Sequence, residues 1–160
     1  MCNLSRNEEI AVRVREEEAD VSALMVISQY PDIKVLVMRS YCDRDGVVLL
    51  LVTNNTPKTF RILEEAGYEC STNPIVLVGP LGRRGCVVLL GSELKACGIR
   101  VLYFYSHRTE AGQLYLAFRT EEDDRALRAL AASPILRDAG GAMVLDEQYV
   151  GAGRESVLAA

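Results

Sequence analysis

The 160-residue chain is poor in the groups from which metal centres and acid–base sites are assembled. Its one histidine, His107, stands beside Arg108 with no nucleophile and orienting partner in the pattern a catalytic histidine needs. The five cysteines, Cys2, Cys42, Cys70, Cys86 and Cys97, are odd in number and scattered, and they form no Cys-x-x-Cys pair. That excludes the usual zinc frameworks and leaves small buried apolar residues in a reducing compartment. Basic residues are outnumbered, 18 against 22 acidic, for a net charge of −4. Such a balance gives no electrostatic footprint for nucleic acid. No apolar run approaches the ~20 residues of a membrane span, and Met1-Cys2-Asn3-Leu4-Ser5 has no basic-then-apolar leader pattern. These absences predict a soluble cytoplasmic protein with no metal, cofactor, nucleic acid or membrane.

What the chain does have is a repeat. Shifted by 66 residues, Ile33-Lys34-Val35-Leu36-Val37 falls on Ile99-Arg100-Val101-Leu102-Tyr103, and Asp45-Gly46-Val47-Val48 falls on Ala111-Gly112-Gln113-Leu114. One residue further on, Thr59-Phe60-Arg61-Ile62-Leu63 matches Ala126-Leu127-Arg128-Ala129-Leu130, the offset a loop insertion leaves. One supersecondary unit is therefore used twice. A unit of half this length is close to marginal alone, so the copies should share a core or a sheet.

The patterning gives the unit. Ile10, Val12 and Val14 alternate as a half-buried strand, and Val21, Leu24, Met25 and Ser28 have helical spacing after the acidic cluster Glu16-Glu17-Glu18 and Asp20. Ile33–Tyr41 and Val47–Val52 form a hairpin across Asp43-Arg44-Asp45-Gly46, in which Asp43 and Asp45 are turn formers. Thr56 is the candidate cap of a helix with Pro57 at its first position, and Tyr68–Thr72 is a short strand. From Ile75 the order recurs, through a helix carrying Val87, Leu90 and Leu94, a hairpin of Ile99–Ser106 with Gly112–Arg119, a helix halted by Pro134, and Met143-Val144-Leu145.

Strand, helix, strand, strand, helix, strand is a ferredoxin-like order, with four antiparallel strands and both helices on one face. The expected fold class is α+β, two βαββαβ units in tandem with their sheets side by side. Unit 1 spans 8–73 and unit 2 spans 74–148, with loose termini at 1–7 and 149–160. Ile33–Tyr41 and Ile99–Ser106 are long apolar edge candidates. Pairing them would bury both edges and make one eight-stranded sheet. Val47–Val52 and Val101–Tyr105 do not alternate, so both faces should be covered, the second one by another copy of the chain in a homodimer.

In the second half, Val76-Leu77-Val78, Arg83-Arg84-Gly85-Cys86-Val87 and Ala96-Cys97-Gly98-Ile99-Arg100-Val101 resemble the ACT domain. Val48 to Gly67-Tyr68 fits the same outline, so the resemblance covers about residues 8–148 and is to small stand-alone tandem ACT proteins. It implies a non-enzymatic regulatory protein that binds a small molecule, usually an amino acid, at the seam between two units. Carried over by position, the ligand-binding residues are Leu81, Gly82, Arg83, Arg84, Gly85, Cys86, Arg100 and Lys34. The first unit's loop, Glu17, Glu18, Ala19 and Asp20, lacks the family's glycine.

The residues themselves leave alternatives. Gly85 could bring loop amides to an anion at a helix start or simply make the turn. Arg83, Arg84 and Arg100 could fork onto a carboxylate or stand as solvated surface charges. Tyr103 and Tyr105 could stack on a ligand or fill a sheet. Arg83-Arg84-Gly85-Cys86 is also similar to the acetyl-CoA loop of N-acetyltransferases, but Cys86 and Val88 occupy the places of that signature's small residues. A purely structural oligomerisation module is the remaining alternative.

Overall fold

The computed structural model describes residues 2–14, 21–81, 86–140 and 143–145. Their elements in chain order are β1 (Cys2–Val14), α1 (Val21–Ser28), β2 (Val35–Asp43), β3 (Gly46–Thr53), α2 (Thr56–Glu65), β4 (Glu69–Leu81), α3 (Cys86–Ala96), β5 (Val101–Arg108), β6 (Leu114–Thr120), α4 (Asp123–Ala132), α5 (Pro134–Gly140) and β7 (Met143–Leu145). Gly46, at φ +130, closes the first hairpin, a backbone that side-chain-bearing residues rarely adopt. The cap of α2 is Asn55, whose side chain accepts from the Lys58 amide at 3.2 Å, and not Thr56 as expected. Asn55 Oδ1 reaches the third amide of the helix, and Thr56 turns its hydroxyl back to the Glu8 carbonyl.

The strands form one sheet in the order β2-β3-β1-β4-β6-β5, antiparallel throughout, with β7 added parallel to β1. Two tandem βαββαβ units are present and their sheets are joined side by side, but the joint differs from the expected one. It lies between β1 and β4, which pair from Asn3↔Gly79 to Arg13↔Glu69. The predicted ladder between the second strands does not form: β2 and β5 stand at opposite ends of the strand order. The long strands explain why. Residues Ile10–Val14 of β1 pair with β3 in unit 1, while Asn3–Asn7 continue beside β4 into unit 2, with β7 on the other side of Asn3 and Leu4. The expectation of a loose segment at 1–7 is thus corrected, because Leu4 is fully buried and the backbone before Asn7 has ladder partners. Similarly β4 runs straight through Asn73-Pro74. Pro74 is tolerated because β6 pairs with β4 only from Val76 onward, which leaves one side of β4 without a ladder at that point.

Glu8 pairs with Pro74 at the centre of this ladder, and the two are separated by the same 66 residues as the sequence repeat. An antiparallel pair has a local dyad at its centre, so the dyad at Glu8–Pro74 superposes each residue on the one 66 positions later. The repeat in the sequence is the symmetry axis of the sheet.

Alternate residues serve different cores. Leu4, Val76, Val78, Leu116 and Phe118 pack under α3 and α4, and Ile10, Val12, Leu49 and Leu51 pack under α1 and α2. Leu4 and Ile10 lie on the same side of β1, so all four of these helices share one face of the sheet. The opposite faces of the two units meet each other in a third core of Val37, Val48, Leu50, Val52, Ile75, Leu77, Tyr105 and Ala117. Both faces of β3 are covered, as its non-alternating sequence requires, but the second cover comes from within the chain. The inference of a second copy loses that premise. Closing this core curls the sheet until β2 and β5 lie alongside one another without a shared ladder. On β5 the outward Leu102 and Phe104 remain about two-fifths exposed, at 45% and 43%, so that strand is covered on one side only.

Candidate functional site

The described members of the predicted ligand set lie at the two ends of α3 in unit 2 and, for Lys34, in unit 1. Leu81 ends β4 and Cys86 begins α3, both buried, while Gly82, Arg83, Arg84 and Gly85 lie outside the described residues, as does the first-unit segment Glu17–Asp20. Arg100 follows the far end of α3. That helix has 11 residues, so about 16 Å of axial rise separates the two ends. Arg100 is exposed and pairs with Glu121 at 3.0 Å, and its carbonyl accepts from the Glu121 amide. Lys34 holds the equivalent place in unit 1, where its amide donates to Asn54 Oδ1 at 2.7 Å. The fold therefore brings Leu81 and Cys86 into one core and sets Arg100 apart from them, while Lys34 belongs to the other unit.

Other sequence candidates resolve into structural roles. Asp43 accepts two hydrogen bonds from the Arg13 guanidinium at 3.1 and 3.0 Å, and also one from the Asp45 amide. The arginine holds the Asp43 carboxyl below the usual carboxylate range. All five cysteines are free; Cys2 and Cys86 are buried as expected, whereas Cys42 and Cys97 are exposed. Burial, helped by Glu64 and Glu69, pushes the half-buried Cys70 thiol up to about 11, which makes it a poor nucleophile. Among the described residues no group of three or more His, Cys, Asp or Glu side chains could hold a metal ion. No helix among them is long and apolar enough to cross a membrane. A shallow hollow of about 110 Å³ lies on the helix-free face of unit 1, lined by Ala11, Arg13, Val48, Glu69, Cys70 and Ser71.

The most concentrated chemistry was not singled out by the sequence. Glu9 on β1 is fully buried. Its Oε1 accepts from the Tyr103 hydroxyl and from Asn73 Nδ2 at 3.2 Å, and its Oε2 accepts from the Tyr105 hydroxyl at 2.7 Å. The two rings lie 6.4 Å apart at 27°. Burial, together with the Glu9 carboxylate, pushes both phenols far above the ordinary tyrosine value. Arg39 and Tyr41 of β2 are near enough to act electrostatically on Tyr105 and Tyr103 respectively. In sequence, Glu9 belongs to the polar side of an alternating strand and reads as solvent-facing. The available signal was the pair of tyrosines on an inward row, whose hydroxyls need a buried acceptor.

Comparison with known proteins places the fold. No protein-family model and no curated protein matches the sequence. Solved structures do match. Protein BT0572 from Bacteroides thetaiotaomicron aligns with a TM-score of 0.65 at 13% identity, over 79% of this chain and 87% of that one. The regulatory subunit of aspartate kinase from Thermus thermophilus, in its ligand-free form, aligns at 0.55 and 13% identity, over 78% and 91% of the two chains. The corresponding subunit from Thermus flavus gives 0.50 and 13%, over 81% and 94%. The chain thus has the tandem ACT fold, an architecture it shares with regulatory subunits of aspartate kinase.

Proposed function

We propose that this chain is a non-enzymatic, cytoplasmic regulatory module that binds a carboxylate-bearing metabolite, an amino acid in the first place. The observation that carries the reading is the tandem fold, which is also the fold of the regulatory subunit of an amino-acid-related kinase. The segment Leu81–Cys86 leads directly into the amino end of α3, where unpaired amides and the helix dipole favour an anion. Since α3 separates this segment from Arg100, a ligand held by both takes the loop of one chain and the Arg100 of another. The proposed site therefore implies a homodimer.

A melting-temperature screen against the twenty amino acids tests the reading. A cognate ligand at a hundred times its dissociation constant stabilises the fold by about 2.7 kcal/mol. Arg100→Ala should weaken that ligand about tenfold while leaving the unliganded melting temperature almost unchanged, because the Glu121 pair is exposed. A flat screen supports instead a structural interaction module with no ligand. That second reading has one observation in its favour, the existing engagement of Arg100 by Glu121.

A further inference from the structure

The polar cluster at Glu9 crosses the fold instead of following its ladders. In the sheet order β4 and β6 stand between β1 and β5. Glu9 reaches the β5 tyrosines only because the sheet has curled over its helix-free faces. No other buried carboxylate joins the two units in this way among the described residues. Three side-chain donors, none of them a cation, satisfy its oxygens. The fold itself does not demand the arrangement: the residue 66 positions later is Ile75, which is equally buried and apolar. None of the clasping residues belongs to either helix-backed core.

We propose that Glu9 is the closure residue of a two-unit clamp. Its carboxylate, gripped by Tyr103, Tyr105 and Asn73, holds the β5–β6 hairpin against β1. Release of that grip opens the apolar seam between the units while the layers under α1–α2 and α3–α4 stay intact. The device is independent of any ligand at the Leu81–Cys86 segment.

The test uses the full chain with Glu9→Gln and, separately, Tyr105→Phe. The chain has seven tyrosines and no tryptophan, so its intrinsic emission comes from tyrosine. Three signals are followed at neutral pH: binding of the dye ANS, acrylamide quenching of tyrosine emission, and far-ultraviolet dichroism through a thermal ramp. The expected result in at least one variant is an ANS signal at least about fivefold above the parent. Quenching should increase alongside, with the helical signal and a cooperative melt retained. Parent-like dye binding and quenching in both variants would overturn the proposal. So would loss of the helical signal or of the cooperative melt in every variant that takes up dye, since Glu9 would then support the whole fold and not a seam.

Discussion

Glu9 and Ile75 occupy equivalent places about the β1–β4 dyad, and both are fully buried. Around Glu9 stand Tyr103, Tyr105 and Asn73. The residues equivalent to these by the repeat are Val37, Arg39 and Asn7. The same backbone thus accepts a saturated carboxylate at one place and hydrocarbon at the other. A buried polar group with all its hydrogen bonds made and a well-packed apolar side chain can be close in free energy, while a polar group left without partners is much worse. The duplicated fold constrains volume and hydrogen-bond completeness at this spot and leaves the chemical solution open.

The sharpest way to break the comparison is to put the carboxylate where the two tyrosine hydroxyls are missing. Ile75→Glu should cost about 4 kcal/mol in urea denaturation, because Val37 offers no donor to a fully buried carboxylate. Next, Tyr105→Phe removes one of Glu9's three donors and should cost about 2 kcal/mol, whereas its counterpart Arg39→Ala, on an exposed side chain, should change stability by less than about 0.5 kcal/mol. Equal costs for these two would erase the asymmetry.

The same cluster sets an alkaline limit. Burial and the Glu9 charge raise both phenols, so the folded chain keeps protons that the unfolded chain releases. Their contribution is complete below about pH 10, the unfolded tyrosine range, and is lost as pH rises toward the folded values. Denaturation midpoints should accordingly fall above that pH, and less steeply in a chain carrying Tyr103→Phe and Tyr105→Phe together. The smallest expected effect contrasts the helices. Asn55 caps α2 with its side chain, whereas Glu122 at the start of α4 makes no such bond. Asn55→Ala should therefore cost about 1 kcal/mol by thermal denaturation, and Glu122→Ala less than half of that.

Sequence periodicity carried the architecture well because burial acts on every turn and strand. The non-alternating run Val47–Val52 correctly announced two covered faces: Leu49 and Leu51 enter one core, and Val48, Leu50 and Val52 another. Which surfaces do the covering is a long-range property, and there the reading failed. An edge strand such as Ile33–Tyr41 reports that its backbone needs protection, but not whether a ladder, a curl of the sheet or another chain supplies it. The extent of β1 was hidden for a related reason, since Asn3, Ser5 and Asn7 have low strand propensity and are held by β4. The candidate site was legible only as a loop before an apolar helix. Glu9 escaped notice because its polar row faces a neighbouring unit and not water.

Because β1 and β4 each thread both halves of the molecule, this protein is closer to a splice than to beads on a string. A fragment starting at Pro74 would lack the ribbon Cys2–Asn7 that flanks its sheet, and one stopping at Asn73 would carry that ribbon with nowhere to seat it. Any gene that borrows this module has to take it whole, or exchange the missing ribbon with a second molecule.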